Sequence, residues 1–410
     1  MLAPTWPPLV KAGTHRPLRL ATRLPDYGWH PTVLTPTLTR SPYEYDLTLD
    51  FKLETPDNVE VIRPDLRMPM WRGRRRLAQL AHLMGQKRIF ESITNRVLLS
   101  PSFFPEWTKG ALLKAIEAHQ RVEFDAVWAT GGHWGVFDTA RVIARRLQVP
   151  LVLDYRDPWT ASPDRTNDGG LRLRYQRRIE ATCVAEAKGI SYVHPRCLTE
   201  NETVFGKPDG AIWKTIYNGF IDMNLDADPI GKDLPTLVHG GNCYSGRSAL
   251  PVIEALKALP PSDRPRARFF GALDRKTLDW LNVNPVPAGF ERHDLVPSHV
   301  LTQHLLGAAA QLLIVGQSHA HAVPSKIFDY MQVGQPVIGI GPAHAEVKNI
   351  IDECGLGLWC DTNDVNGIKN AMILAAHNQI PFNPDATRIA RYSADRMARD
   401  TATLLSQVIA

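Results

Sequence analysis

Short apolar runs alternate with amphipathic stretches along most of the chain. Residues 124–130 (FDAVWAT) read as a buried strand, 139–148 as a helix with one apolar face, and 150–155 (PLVLDY) as a second strand, which together make one βαβ unit. The second half follows the same scheme: a strand at 236–239, a helix from about 248 to 259, strands at 267–270 and 311–315, and a helix near 298–306 between them. Strands alternating with helices in this way indicate a parallel α/β fold, repeated as architecture with no repeat of sequence. The apolar run 211–216 ends in the turn-forming pair Asn218-Gly219, and a polar segment follows at 223–234. This places the expected boundaries at 1–216 for a first Rossmann-like domain and 217–386 for a second. A terminal helical stretch, 387–410, is expected to return to the first domain.

A chain of 410 residues is long enough for two cores rather than one. At 44% apolar and 22% charged residues its composition is ordinary for a globular protein, and a net charge of +5 is too mild to argue for a nucleic-acid partner. Cys183, Cys197, Cys243, Cys354 and Cys360 form no Cys-x-x-Cys pair and no zinc spacing, which fits reduced thiols and a cytoplasmic location. The opening residues MLAPTWPPLV lack a basic region followed by an apolar stretch, so no signal peptide is expected. No run approaches the ~20 apolar residues of a membrane span. The expectation is a soluble protein, at most peripheral to the inner face of a membrane.

The most informative segment is 323–340, VPSKIFDYMQVGQPVIGI. Ser325 after Pro324 is a candidate N-cap for a helix reaching about Val333, and Gly334 and Pro336 end it before a buried strand. Ser325 and Lys326 then stand at the positive end of a helix, where N–H groups attract phosphate. Asp329 follows one turn on and suits ribose hydroxyls. A surface helix carrying a lone Lys and Asp is the plainer alternative. The segment 237–248 (LVHGGNCYSGRS) reads as strand, glycine-rich turn and helix start. Gly240 and Gly241 would let backbone approach a ligand, and Arg247 can grip a diphosphate with two N–H groups at once. The alternative there is a tight turn with an exposed arginine. Neither this segment nor 131–135 (GGHWG) has the Gly-x-Gly-x-x-Gly spacing of a dinucleotide site, which argues against an NAD enzyme.

Three further stretches complete the set. Residues 6–29 carry Gly13 and Arg16 ahead of a helix read from Pro17, with Gly28 as its stop. Residues 153–159 (LDYRDPW) lie at the C-terminal end of a strand, where parallel sheets bind ligands. Arg156 and Asp157 there either face a ligand or form an internal ion pair. His133, in the glycine turn just upstream, is either a sugar contact or structural. Residues 63–96 are basic with interleaved Trp71, Leu77, Leu80, Leu83 and Phe90, either a solvated helix face or a surface for anionic lipid or a charged acceptor.

Taken in order, these segments resemble family 4 glycosyltransferases, and 153–159 is similar to an Asp-Phe-Arg-Asp-Pro-Trp signature in a bacterial subset of them. The resemblance implies a GT-B fold, two doubly wound Rossmann-like domains facing each other across a cleft. It implies retaining transfer of a sugar from a nucleotide diphosphate-sugar to a saccharide, lipid-linked or small-molecule acceptor, with no metal and no cofactor, in roles such as polysaccharide biosynthesis. By resemblance Gly13, Arg16, Gly240, Gly241, Arg247, Ser325, Lys326 and Asp329 hold the donor. Asp157, His133, Arg247 and Lys326 stand nearest the chemistry. Two departures are visible: His321 stands where the family has the first of two acids, and Val10-Lys11 where it has two glycines. They keep open a non-catalytic relative that binds a nucleotide or partner. A GT-B nucleotide-sugar epimerase is the other alternative.

Overall fold

A computed structural model describes residues 1–9, 12–37, 54–64, 105–132, 134–161, 170–220, 223, 225–244 and 246–410. His133, Val10, Lys11 and nearly all of the basic segment 63–96 lie outside them. The chain divides into two compact units, Met1–Tyr217 with Met397–Ala410, and Asn218–Arg396.

In the first unit, α1 (Ala12–Arg23) precedes the short pair β1 (Val33–Leu34) and β2 (Val61–Ile62), and α2 (Pro105–Arg121) leads to β3 (Val127–Thr130). Then come α3 (Gly135–Leu147), β4 (Leu151–Tyr155), α4 (Leu171–Glu186), β5 (Gly189–Tyr192), α5 (Pro195–Phe205) and β6 (Ile212–Thr215). Strands β3 to β6 form a parallel sheet in chain order, and single bridges from Leu2 to Leu34 and to Ala129 tie β1 and β2 onto its β3 edge. The chain therefore reverses direction across the sheet between the hydrogen-bonded neighbours Leu2 and β3. Every residue of β4 is buried, as a central parallel strand requires. Helix α3 turns Val136, Phe137, Ala140, Ile143 and Ala144 onto it.

One charge in this core decides much of its geometry. Asp154 is fully buried, and its carboxylate accepts from the Arg16 guanidinium at 2.7 Å, Thr130 Oγ1 at 2.8 Å and Ser191 Oγ at 2.6 Å. Arg16, 3% exposed, also donates to the Tyr217 carbonyl at 3.0 Å. The expectation that Arg16 sits in a phosphate-binding loop is corrected. Helix α1 begins at Ala12, with Pro17 inside it, so Gly13 and Arg16 are helical and Arg16 is committed to the interior.

The second unit contains β7 (Thr236–Gly240), α6 (Leu250–Ala258), β8 (Arg266–Phe270), α7 (Arg275–Val283), β9 (Phe290–His293) and α8 (Ser298–Leu306). It continues with β10 (Ala310–Ile314), α9 (Lys326–Val333), β11 (Val337–Gly341), α10 (Glu346–Cys354), β12 (Gly357–Asp361), α11 (Val365–Ala376) and α12 (Ala386–Ile389). Its six strands are all parallel in the order β12-β11-β10-β7-β8-β9. This is the doubly wound order, and the chain reverses direction across the sheet between β7 and β10.

The expected terminal helix over 387–408 is interrupted. Ser393 is extended and its neighbours pair with Phe220, which donates to the Tyr392 carbonyl at 2.8 Å and accepts from Ala394 N–H at 2.6 Å. Helix α13 (Ala394–Ile409) starts afresh beyond it, with the Ser393 hydroxyl accepting from Arg396 N–H at 3.1 Å. From Met397 it belongs to the first unit, where Met397, Ala398, Leu404 and Leu405 pack with Leu20, Trp128, Val152 and Ile216. A Cβ on Gly189 would lie 2.8 Å from Val408, so this helix crosses β5 closely.

Replacing Arg16 with Met leaves the Asp154 carboxylate buried without its cation. We expect a loss of about 3–5 kcal/mol in urea unfolding, against less than 1 kcal/mol for the exposed pair partner Lys114→Met. Equal effects would mean the buried pair does not organise this core.

Candidate functional site

The reversal between β7 and β10 leaves a crevice at their C-terminal ends, and the chemistry of the second unit gathers there. His239 is fully buried in β7, with Nδ1 3.0 Å from the Leu312 carbonyl. That contact places the proton on Nδ1, so the Nε2 lone pair faces outward, 3.5 Å from the Lys326 ammonium and 3.8 Å from Cys243 Sγ. Burial first, and then the charge of Lys326, hold His239 down to about 3. The imidazole is therefore neutral throughout the working range.

Lys326 opens α9 and is half-buried. Its pKa is lowered to about 8, by burial first and then by the Arg247 guanidinium, with Cys243 pulling the other way. Two cations thus share a partly desolvated space, and among the described residues no carboxylate is a cause of the Lys326 shift. Arg247 is half-buried, stacks its guanidinium over the Tyr244 ring at 4.7 Å, and has a buried Nε with no hydrogen-bond partner. Tyr244 in turn meets His319 edge-on at 6.3 Å.

The glycines here act differently from the expectation. A Cβ on Gly240 would lie 2.5 Å from Leu301, and one on Gly241 would lie 2.8 Å from Lys326 Cε and Nζ. Gly240 therefore makes room for helix α8, and Gly241, at φ +105°, makes room for the ammonium. The Gly241 N–H is already spent on the Phe270 carbonyl at 2.7 Å. Ser325 is also corrected as a cap: it is exposed and its hydroxyl makes no capping bond, while Ile327 and Phe328 N–H donate to the Pro324 and Ser325 carbonyls. Asp329 lies in the first turn of α9, and His321 is buried at 9% exposure on the segment leading to it.

In the first unit, residues 153–159 are divided between core and surface. Tyr155 and Trp159 are buried, and Trp159 stacks on Trp134 with centroids 5.7 Å apart and planes at 7°. Asp157 is exposed, while Arg156 donates from Nε to the Gly131 carbonyl at 2.7 Å. Beneath this turn lies Glu180, on α4, whose carboxyl accepts from Thr160 N–H at 2.9 Å and from Tyr155 Oη at 3.1 Å. Burial pushes Glu180 up to about 7 against the pull of those hydrogen bonds and of Arg177. The sequence reading named neither Glu180 nor His239. Each is a polar residue within an otherwise ordinary helix or strand, and only its burial makes it stand out.

A cavity of about 280 Å³, lined by Leu24, Trp29, Phe124, Trp128 and Ile143 among others, lies at the opposite end of β3 from Gly131. Among the described residues no helix is long and apolar enough to cross a membrane.

Among solved structures the chain is similar to sucrose-phosphate synthase from Thermosynechococcus elongatus, at 12% identity and TM-score 0.57, over 95% of this chain and 92% of that one. It is similar to HepE of Anabaena in complex with UDP-glucose, at 15% identity and TM-score 0.58, over 99% and 98%. It is also similar to the apo form of the lipopolysaccharide outer core galactosyltransferase WaaB, at 8% identity and TM-score 0.61, over 97% of each. No family model and no curated protein sequence matches the chain. At these identities the likeness shows the fold, which is GT-B: two doubly wound α/β units.

Glu180 sets a pH dependence. Its folded pKa of about 7 exceeds the ordinary 4.5, so between those values the native state keeps a proton that the unfolded chain has released. Raising the pH through that window removes stability. Urea unfolding of the protein and of Glu180→Gln from pH 4.5 to 8 should show the parent losing stability relative to the variant up to about pH 7, then running parallel. Parallel curves throughout would contradict a buried, titrating Glu180.

Proposed function

We propose that the chain is a glycosyltransferase, moving a sugar from a nucleotide diphosphate-sugar to a hydroxyl of a saccharide, lipid-linked or small-molecule acceptor. The observation that carries this reading is the pair Lys326 and Arg247 at the β7/β10 crevice, two cations with no ion-pair partner among the described residues, at the start of a helix whose Ser325 makes no capping bond. A diphosphate supplies the missing charge. As it departs, its developing negative charge is stabilised by groups already in place, which costs little reorganisation. Asp329, in the first turn of α9, takes the ribose hydroxyls.

Transfer with retention and without a metal follows from the resemblance to family 4. Lys326, Arg247 and the α9 N-terminus fill the electrostatic role that a metal would otherwise have. The acceptor hydroxyl passes its proton to the leaving phosphate, a step that depends on positioning more than on a strong base. The likeness to HepE in complex with UDP-glucose makes UDP-sugars the first donors to try. A binding-only relative is the second reading, favoured by the buried His321 where the family carries an acid.

Thermal unfolding with UDP-, GDP-, ADP- and TDP-sugars should show stabilisation by one nucleotide series, lost in Arg247→Ala with Lys326→Ala. Either single change should lower kcat/KM about 10²–10³-fold, as loss of a charge-stabilising donor does elsewhere. Turnover should require an acceptor and survive EDTA. Binding without turnover under any acceptor would favour the second reading, and turnover without acceptor would favour an epimerase.

A further inference from the structure

We infer that the first unit carries an oxyanion site of its own, in which the Arg156 guanidinium takes a phosphate or carboxylate group at the C-terminal ends of the parallel strands. The fork is held in place from one side only. Arg156 Nε donates to the Gly131 carbonyl at 2.7 Å, while Nη1 and Nη2 make no hydrogen bond to any described residue. Both Nη groups remain open to solvent on a half-buried side chain, and the planar geometry of the fork matches two oxygens of one anion.

The neighbouring carboxylates do not use those donors. Asp154 is saturated by Arg16, Thr130 and Ser191. Asp157 is exposed, and its charge acts on Arg156 through space. Space for the fork is made by two glycines from separate segments. A Cβ on Gly13 would lie 2.4 Å from Nη1, and a Cβ on Gly132, at φ +107°, would lie 1.8 Å from Nη2. Gly13 belongs to the first turn of α1, which carries no acidic residue, and Gly132 follows β3. Those segments follow Leu2 and β3, between which the chain reverses direction across the sheet, the place where open parallel sheets bind ligands. Burial lowers the Arg156 pKa, and Asp157 and Asp154 raise it. The group remains a cation.

The site stands independently of the nucleotide reading, so the test is made in full-length protein carrying Arg247→Ala and Lys326→Ala. Phenylglyoxal modification of Arg156 is followed by peptide mass spectrometry at constant ionic strength, with inorganic phosphate or acetate as the probe and the ion-paired Arg16 as internal control. We expect Arg156 to react readily, Arg16 to resist, and one or both probes to protect Arg156. Protection by phosphate alone points to a phosphorylated ligand, and protection by acetate alone to a carboxylate. Gly13→Ala keeps the charge but moves the fork, and should raise the protecting concentration about tenfold or more. An Arg156 that fails to react, that neither probe protects, or that is protected equally in Gly13→Ala would overturn the inference.

Discussion

Two like charges held together away from water are unstable unless something answers them, and the second unit is built around such a pair. Lys326 and Arg247 approach closely enough that each is felt by its neighbours, and burial rather than a carboxylate sets the Lys326 pKa. The surrounding residues keep the pair in place without neutralising it. Gly241 gives up its side chain to the ammonium, and His239 offers it a neutral nitrogen because the Leu312 carbonyl holds the ring's proton on the other side. The cation pair, the start of α9 and the change of direction between β7 and β10 coincide in space. A fold that gathers like charge at one crevice gives up stability there.

The first unit treats charge in the opposite manner. Asp154 lies in the middle of the sheet and is matched bond for bond, so it fixes α1 against β4 and contributes nothing to a ligand. Glu180 pins the turn after β4 from below. Between these two carboxyls, the Arg156 fork keeps Nη donors that no described residue accepts from. The segment 153–159 thus divides its labour: Asp154, Tyr155 and Trp159 hold the turn, and Arg156 and Asp157 are what it presents.

Much of this was legible in the residues. The apolar runs located β3, β4, β7, β8 and β10 to within a few positions, because a buried parallel strand leaves a contiguous signature. Gly334, left-handed at φ +70°, ended α9 as its sequence position implies. What failed was whatever depends on distant partners. Arg16 looked like a loop cation because nothing nearby answers it; Asp154, its partner, lies 138 positions along the chain. Gly240 and Gly241 looked like room for a ligand, whereas the atoms that fill that room, Leu301 and Lys326, come from α8 and α9. The break at Ser393 was equally hidden, since its cause is pairing with Phe220 from the other end of the second unit.

If a diphosphate answers the Lys326–Arg247 pair, its binding must be linked to a proton. Lys326 in the free protein has a pKa of about 8, so above that pH part of the population is neutral. A bound diphosphate favours the charged form. Calorimetric titration of the cognate nucleotide diphosphate at pH 8.5, in buffers of different ionisation enthalpy, should then report uptake of a substantial fraction of a proton on binding. The uptake should vanish in Lys326→Met. Binding with no uptake in the parent protein, or uptake unchanged in the variant, would contradict the account and place the anion elsewhere.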